Sequence, residues 1–200
     1  MHGIIILNIS EFESNIFDKS MELRSLGYRT DLIFPAYDGV ILDRGHYLVI
    51  RTPSNPTFYW GNFLLFDRPP GEGDYSKWRE LFVEEIGTPP RFEHQAFGWD
   101  TTSNEMGFIQ PFLDNGFELE HASVLTAQQV NLIPKSSPGV TFRPLLSEDD
   151  WIQSVENQVI SRDPIFSESG YRIFRQRQMK RYRDMVSHGL GVWFGAFIGN

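Results

Sequence analysis

A mixed α/β fold, of the α+β kind with a mixed sheet, is predicted by three features of this 200-residue chain. A stretch dense in β-branched and aromatic residues fills positions 31–66, and a Pro-Gly turn then leads into an amphipathic helix. Later a link rich in Pro and Ser introduces a strand, two helices and another strand. Period-two and period-3.6 apolar patterns alternating in one chain call for a sheet covered by helices.

The elements can be justified in order. Phe12, Ile16, Leu23 and Leu26 recur at near-helical spacing, with Gly27 placed as a C-terminal cap, so a helix is expected from Glu11 to Leu26. Between 31 and 66, turn signals at Tyr37-Asp38-Gly39, Asp43-Arg44-Gly45 and Pro53-Ser54-Asn55-Pro56 cut the stretch into antiparallel strands. The last is FYWGNFLLF, with Gly61 suited to a bulge. In DYSKWRELFVEEIG, Trp78, Leu81, Phe82 and Ile86 share one face, Asp74 suits the N-cap and Gly87 closes the end. RFEHQAFGW returns to strand character, a short helix is expected near Pro111, and FELEHASVLTA alternates as a final strand. Two prolines, two serines and a glycine in NLIPKSSPG mark residues 131–139 as a linker between units 1–130 and 140–200. Beyond it come a strand in VTFRPLL, a helix opening at Ser147, a second helix ending near Gly189, and the strand GVWFGAFIGN.

Composition narrows the chemistry. With no cysteine, disulfides, thiolate nucleophiles and cysteine metal sites are excluded, and the cytoplasm is the expected compartment. The apolar start GIIIL lacks a cationic flank and is too short for a signal peptide or a membrane span. The five histidines are scattered without metal-ligand spacing, and no G-x-S-x-G elbow is present. The formal charge is −8, although residues 171–183 carry six basic residues and no acid. That stretch reads as the solvated face of a helix, and the acidic remainder disfavours nucleic acid as a partner.

A glycine-bearing loop between a strand and a helix aims backbone N–H groups and the positive helix terminus at one spot, which suits a phosphate or diphosphate. The loop here reads Arg68-Pro69-Pro70-Gly71-Glu72-Gly73. It lacks the Gly-Lys-Ser/Thr of a P-loop and the third glycine of the dinucleotide fingerprint.

In this order it resembles the Gln/Arg-x-x-Gly-x-Gly/Ala signature of the GNAT superfamily of acyl-CoA N-acetyltransferases. The likeness covers residues near 30–125 as a divergent, nearly whole domain and 140–200 as the opening half of another. It implies a GNAT-like fold, acetyl-CoA as co-substrate and a small-molecule or peptide amine as acceptor. It further implies that backbone at Leu64 and Phe66 contacts the cofactor, with the amides of the Arg68, Gly71, Gly73 and Asp74 turn on its diphosphate. Direct attack of an amine on the thioester needs a base, and Glu93 and His94, beside the proposed cofactor strand, are the candidates.

Three residues depart from the pattern. Pro69 and Pro70 supply no N–H, and Phe112 stands four residues before Gly116, where many family members carry a tyrosine acid. These departures favour an alternative in which the first unit is a non-catalytic scaffold or ligand sensor and activity resides in a second domain that is expected to be incomplete in this chain. The apolar last strand also offers an edge that would pair with another chain, making a homodimer a further expectation.

Overall fold

The computed structural model describes residues 21–92, 94–129 and 139–198, which divide between Leu125 and Thr126 into two compact units. In the first, helices α1 (Leu26–Asp31) and α2 (Ile33–Asp38) precede strands β1 (Val40–Asp43) and β2 (Tyr47–Arg51). A 3-10 turn at Tyr59–Gly61, strand β3 (Phe63–Phe66), helix α3 (Asp74–Glu85), strand β4 (Phe97–Trp99) and the short helix α4 (Gln110–Leu113) complete it. The sheet order is β1-β2-β3-β4. Its first two pairings are antiparallel, and β3 and β4 run parallel around α3, so the sheet is mixed.

Alternation along the strands sorts the core into two layers. On β3, Leu64 and Phe66 face α3, joining Val49, Trp78, Phe82, Ile86, Phe92 and Phe112. Phe63 and Leu65 face the other way, with Leu48, Ile50, Met21, Leu23 and Leu32. All four residues of β3 are therefore buried, as expected for an inner strand covered on both faces. Trp78 stacks on Phe66 with ring centres 3.7 Å apart. Each such side chain contributes about 1.5–3 kcal/mol of burial.

The expected helix from Glu11 to Leu26 lies partly outside the described residues, and of its described part only Leu26, the first residue of α1, is helical. Residues 21–25 run without regular structure, and Gly27 sits inside α1 rather than capping a helix before it. Buried Asp100 accounts for this: its carboxylate accepts the Arg24 N–H at 2.6 Å and the Ser25 N–H at 2.9 Å. Met21 N–H likewise donates to Asp43. Carboxylates thus take backbone donors that a helix would have used internally.

Other boundaries move for local reasons. Residues 33–36, expected in a strand, and Tyr37 and Asp38, expected in a turn, are helical, and Pro35 sits in the first turn, where a missing N–H costs nothing. The strand expected over 58–66 begins only at Phe63, because Asn62 accepts Thr52 N–H and donates to the Asn55 and Phe58 carbonyls, folding 52–62 into a loop. Gly61 ends the 3-10 turn and forms no bulge. Residues 117–127, expected as a final strand, have no regular structure; alternation shows compatibility with a sheet, but a strand also needs a neighbour.

In the second unit, strand β5 (Val140–Pro144), helices α5 (Glu148–Ile160) and α6 (Glu168–Ser187) and strand β6 (Phe194–Ile198) follow the expected order. Ser147 caps α5 through a capping box with Asp150. β5 and β6 form an antiparallel pair packed on Leu145, Trp151, Val155, Val159 and Met179. The linker's residues 131–138 lie outside the described residues. The basic stretch lies on α6, where Arg172 pairs with Glu156 and Glu168, Lys180 with Asp184, and Arg183 with Glu148. No described helix is long and apolar enough to cross a membrane.

Candidate functional site

The turn after β3 joins an inner strand to the N-terminus of α3, as the sequence pattern requires. Gly73 is the residue before the helix and adopts φ +81°, a left-handed conformation that favours glycine. Asp74 is the first helical residue rather than the cap. Its side chain turns back into the bend, where Oδ2 accepts the Gly71 N–H at 2.7 Å. The same carboxylate receives Arg68 through Nη1 at 2.6 Å and Nη2 at 3.3 Å. Asp74 N–H closes the turn onto the Gly71 carbonyl at 3.2 Å. A Cβ built on Gly71 would meet Arg68 Nη1 at 3.4 Å and Asp74 Oδ2 at 3.5 Å, so these two side chains occupy the space before that glycine.

Burial alone would raise the Asp74 pKa, but the hydrogen bonds from Arg68 and from Gly71 outweigh it and hold the carboxyl below its ordinary range. The Arg68 guanidinium is correspondingly pushed up, first by its bond to Asp74. The bend therefore already holds an anion, supplied by the chain itself. Pro69 and Pro70 are packed against Gly107, whose Cβ would fall 2.3 Å from the Pro70 carbonyl oxygen. Phe108 N–H donates to that same oxygen at 2.6 Å, and Arg68 Nη1 donates to the Pro69 carbonyl at 3.0 Å.

The second unit repeats the device. Arg143 at the end of β5 binds Asp150 in the first turn of α5 at 2.7 and 2.9 Å, and that carboxylate accepts the Leu146 and Ser147 N–H groups. Its pKa is held far down, first by Arg143 and then by those amides. In both units an arginine at a strand end and an aspartate in the following helix fasten the connecting turn.

The remaining site residues are dispersed. Leu64 N–H, expected to face a thioester, donates to the Ala96 carbonyl at 3.2 Å. The Phe66 carbonyl accepts Asp100 N–H at 2.8 Å. With β2 paired along the other edge, the backbone at Leu64 and Phe66 is engaged on both sides. Glu93 lies outside the described residues. His94 precedes β4, whereas the turn follows β3; since Trp99 is level with Phe66 in the parallel register, the imidazole and the turn occupy opposite ends of the strand pair. At about 3.3 Å per residue that separation is on the order of 15 Å. His94 Nε2 lies 3.1 Å from the Asn62 carbonyl and its ring stacks on Tyr59. Burial lowers its pKa, partly offset by that carbonyl, so it is neutral at pH 7.

Phe112 is buried in an aromatic cluster with Tyr75, Trp78, Phe97 and Phe117, with ring centres 5.2–5.8 Å away. It has no proton to give. Phe97 packs against this core, while Tyr59 and Trp60 are exposed.

Sequence reasoning assigned Asp74 to the turn but missed the target of its carboxylate. The signal was an arginine and an aspartate bracketing Gly71 within seven positions, with a glycine immediately before the helix. Asp100 and Asn62, which organise the segments around the site, carry no local signal because their partners are distant in sequence. Comparisons of the chain with protein-family models, with curated proteins and with solved structures return no match.

Proposed function

We propose that residues 21–125 are a non-catalytic, GNAT-like scaffold within an acetyl-CoA-dependent N-acetyltransferase. Transfer to a small-molecule or peptide amine then belongs to a second domain, of which residues 140–200 resemble the opening half, rather than to the Arg68–Asp74 turn. The observation that carries this reading is the Asp74 carboxylate on the Gly71 N–H and Arg68, where a cofactor diphosphate would have to sit. A diphosphate entering there would face an ionised carboxylate within contact distance, a repulsion that Arg68, already committed to Asp74, does not relieve. The repeat of the same fastening by Arg143 and Asp150 supports a structural role for both pairs.

Calorimetric titration of the chain with acetyl-CoA tests this. Wild type and the Gly71→Asp/Gly73→Asp double variant should give the same titration. A wild-type affinity in the usual substrate range of about 1 μM–1 mM that the double variant abolishes would return the chemistry to this turn.

A second reading keeps the transferase at the turn itself. It is favoured by the parallel β3–β4 pair around α3, which sets a helix N-terminus beyond an inner strand, the arrangement the family resemblance implies. Asp74 would then have to swing out as acetyl-CoA entered, with Arg68 moving from the carboxylate to the diphosphate. An amine would attack the thioester carbon, lose its proton to a base and release the CoA thiolate. His94 and Phe112 do not serve that step from their present positions.

A further inference from the structure

Helices α5 and α6 leave a cavity of about 220 Å³ between them, its wall completed by Trp193 and Phe194, so every side of it is built from residues within 154–194. Among the described residues no carboxylate lines it. Gln178, only 6% exposed, reaches this cavity with its side-chain amide. The amide oxygen accepts Arg175 Nη1, and the amide nitrogen has no acceptor among the described residues. A buried donor without an acceptor is costly, and the adjoining space can admit one.

Arg175 brings a positive charge to the same wall. On this helix Arg172, Lys180 and Arg183 pair with carboxylates, whereas Arg175 is held by neutral groups, the Tyr171 hydroxyl at 2.9 and 2.6 Å and the Gln178 oxygen. Those bonds take three of the guanidinium's five N–H groups and leave two. The rest of the wall is apolar. Tyr182 and Trp193 stack with ring centres 4.1 Å apart, and buried Met179 adds an unbranched, adaptable side chain beside them.

We infer that this cavity binds a small aromatic monocarboxylate, with its carboxylate on Arg175 and Gln178 and its ring against Met179, Tyr182 and Trp193. One guanidinium balances one negative charge. A phosphate or diphosphate would bring a further charge into the cavity with no partner there. A planar carboxylate also matches the planar fork of a guanidinium, and the amide N–H of Gln178 gives it a further donor. The size agrees: a cavity of about 150 Å³ takes benzene, so about 220 Å³ leaves room for a ring and one carboxylate.

Ligand-observed NMR titration of the full chain with benzoate at pH 7 tests the assignment, with benzyl alcohol as a neutral probe of like shape and inorganic phosphate as an anion without a ring. Acetyl-CoA is left out, so the outcome is separate from that of the transferase reading. Wild type should bind benzoate saturably and about tenfold more tightly than either control, the worth of a charge-assisted hydrogen bond. Arg175→Gln should weaken benzoate by about tenfold and leave benzyl alcohol unchanged. Asn157→Trp, at an exposed position on the cavity wall, should fill the space and abolish benzoate binding. Far-UV circular dichroism and thermal unfolding of Asn157→Trp should match wild type, so this variant decides the matter if Arg175→Gln fails to fold. A wild type that shows no saturable benzoate binding would overturn the inference. Equal affinity for benzyl alcohol or phosphate would also overturn it, as would benzoate binding that Asn157→Trp leaves intact, which places the ligand elsewhere.

Discussion

Replacing Asp74 by alanine removes the anion that the turn carries within itself. The carboxylate accepts one backbone N–H at 2.7 Å, and losing a hydrogen bond to a charged acceptor costs about 1.5 kcal/mol. The Arg68 side chain is 54% exposed, so after solvent screening its ion pair adds only about 0.5 kcal/mol. The loss of negative charge at the start of α3 lies within the same range, and the total is about 2 kcal/mol. Urea unfolding at pH 7, followed by tryptophan fluorescence, should show that loss, because Trp78 is buried on α3 itself. A double-mutant cycle with Arg68→Ala should return a coupling of about 0.5 kcal/mol. The pH dependence fixes the sign. The folded-state pKa of Asp74 lies below its unfolded value of about 3.9, so its contribution is complete above about pH 4 and is lost as pH falls through the lowered folded value. The gap between variant and wild type should accordingly narrow in acid. A difference below about 0.5 kcal/mol at pH 7, or a gap that acid leaves unchanged, would refute the idea that the carboxylate fastens the turn.

Gly98→Ala should cost about 1–3 kcal/mol, because the added methyl would lie 2.4 Å from the Tyr28 hydroxyl; thermal unfolding measures it. In the same contact, burial and then the charges of Asp31 and Asp100 push the Tyr28 phenol up to about 12, so its ultraviolet titration should be absent at pH 10.5 and Tyr28→Phe should remove only that late step. Ser147→Ala should destabilise the second unit by about 1 kcal/mol through loss of the α5 cap, read by urea unfolding. The His94 imidazole should titrate below pH 6.5 by NMR. Its folded-state pKa is lowered, so stability tied to the neutral ring is present above about 6.5 and declines as pH falls through the folded value.

Periodicity located what depends on neighbouring residues. α3, with Trp78, Phe82 and Ile86 on one face, and α5, with its Ser147 cap, stand where the sequence places them. The same holds for the strand–turn–helix order around Gly71 and for the four elements of the second unit. What was not legible depends on distant partners. Asp100 draws residues 21–25 out of a helix across 75 positions, and Asn62 shortens β3 by binding backbone ten residues earlier. The strand expected over 117–127 has the right alternation but no neighbour. At the site, the glycines and the arginine were visible, whereas the orientation of the Asp74 side chain was not, since an aspartate beside a helix start can face solvent or its own turn with the same sequence.

The diproline bend has one more consequence. Its two imides withhold donors while their oxygens receive them, Pro69 from a guanidinium and Pro70 from the Phe108 amide. An anion cradle is lined by amide hydrogens, and positions 69 and 70 of this bend supply none. Substitutions at 69 and 70 would return two amide hydrogens to the bend, the donors that an anion needs and that this chain withholds.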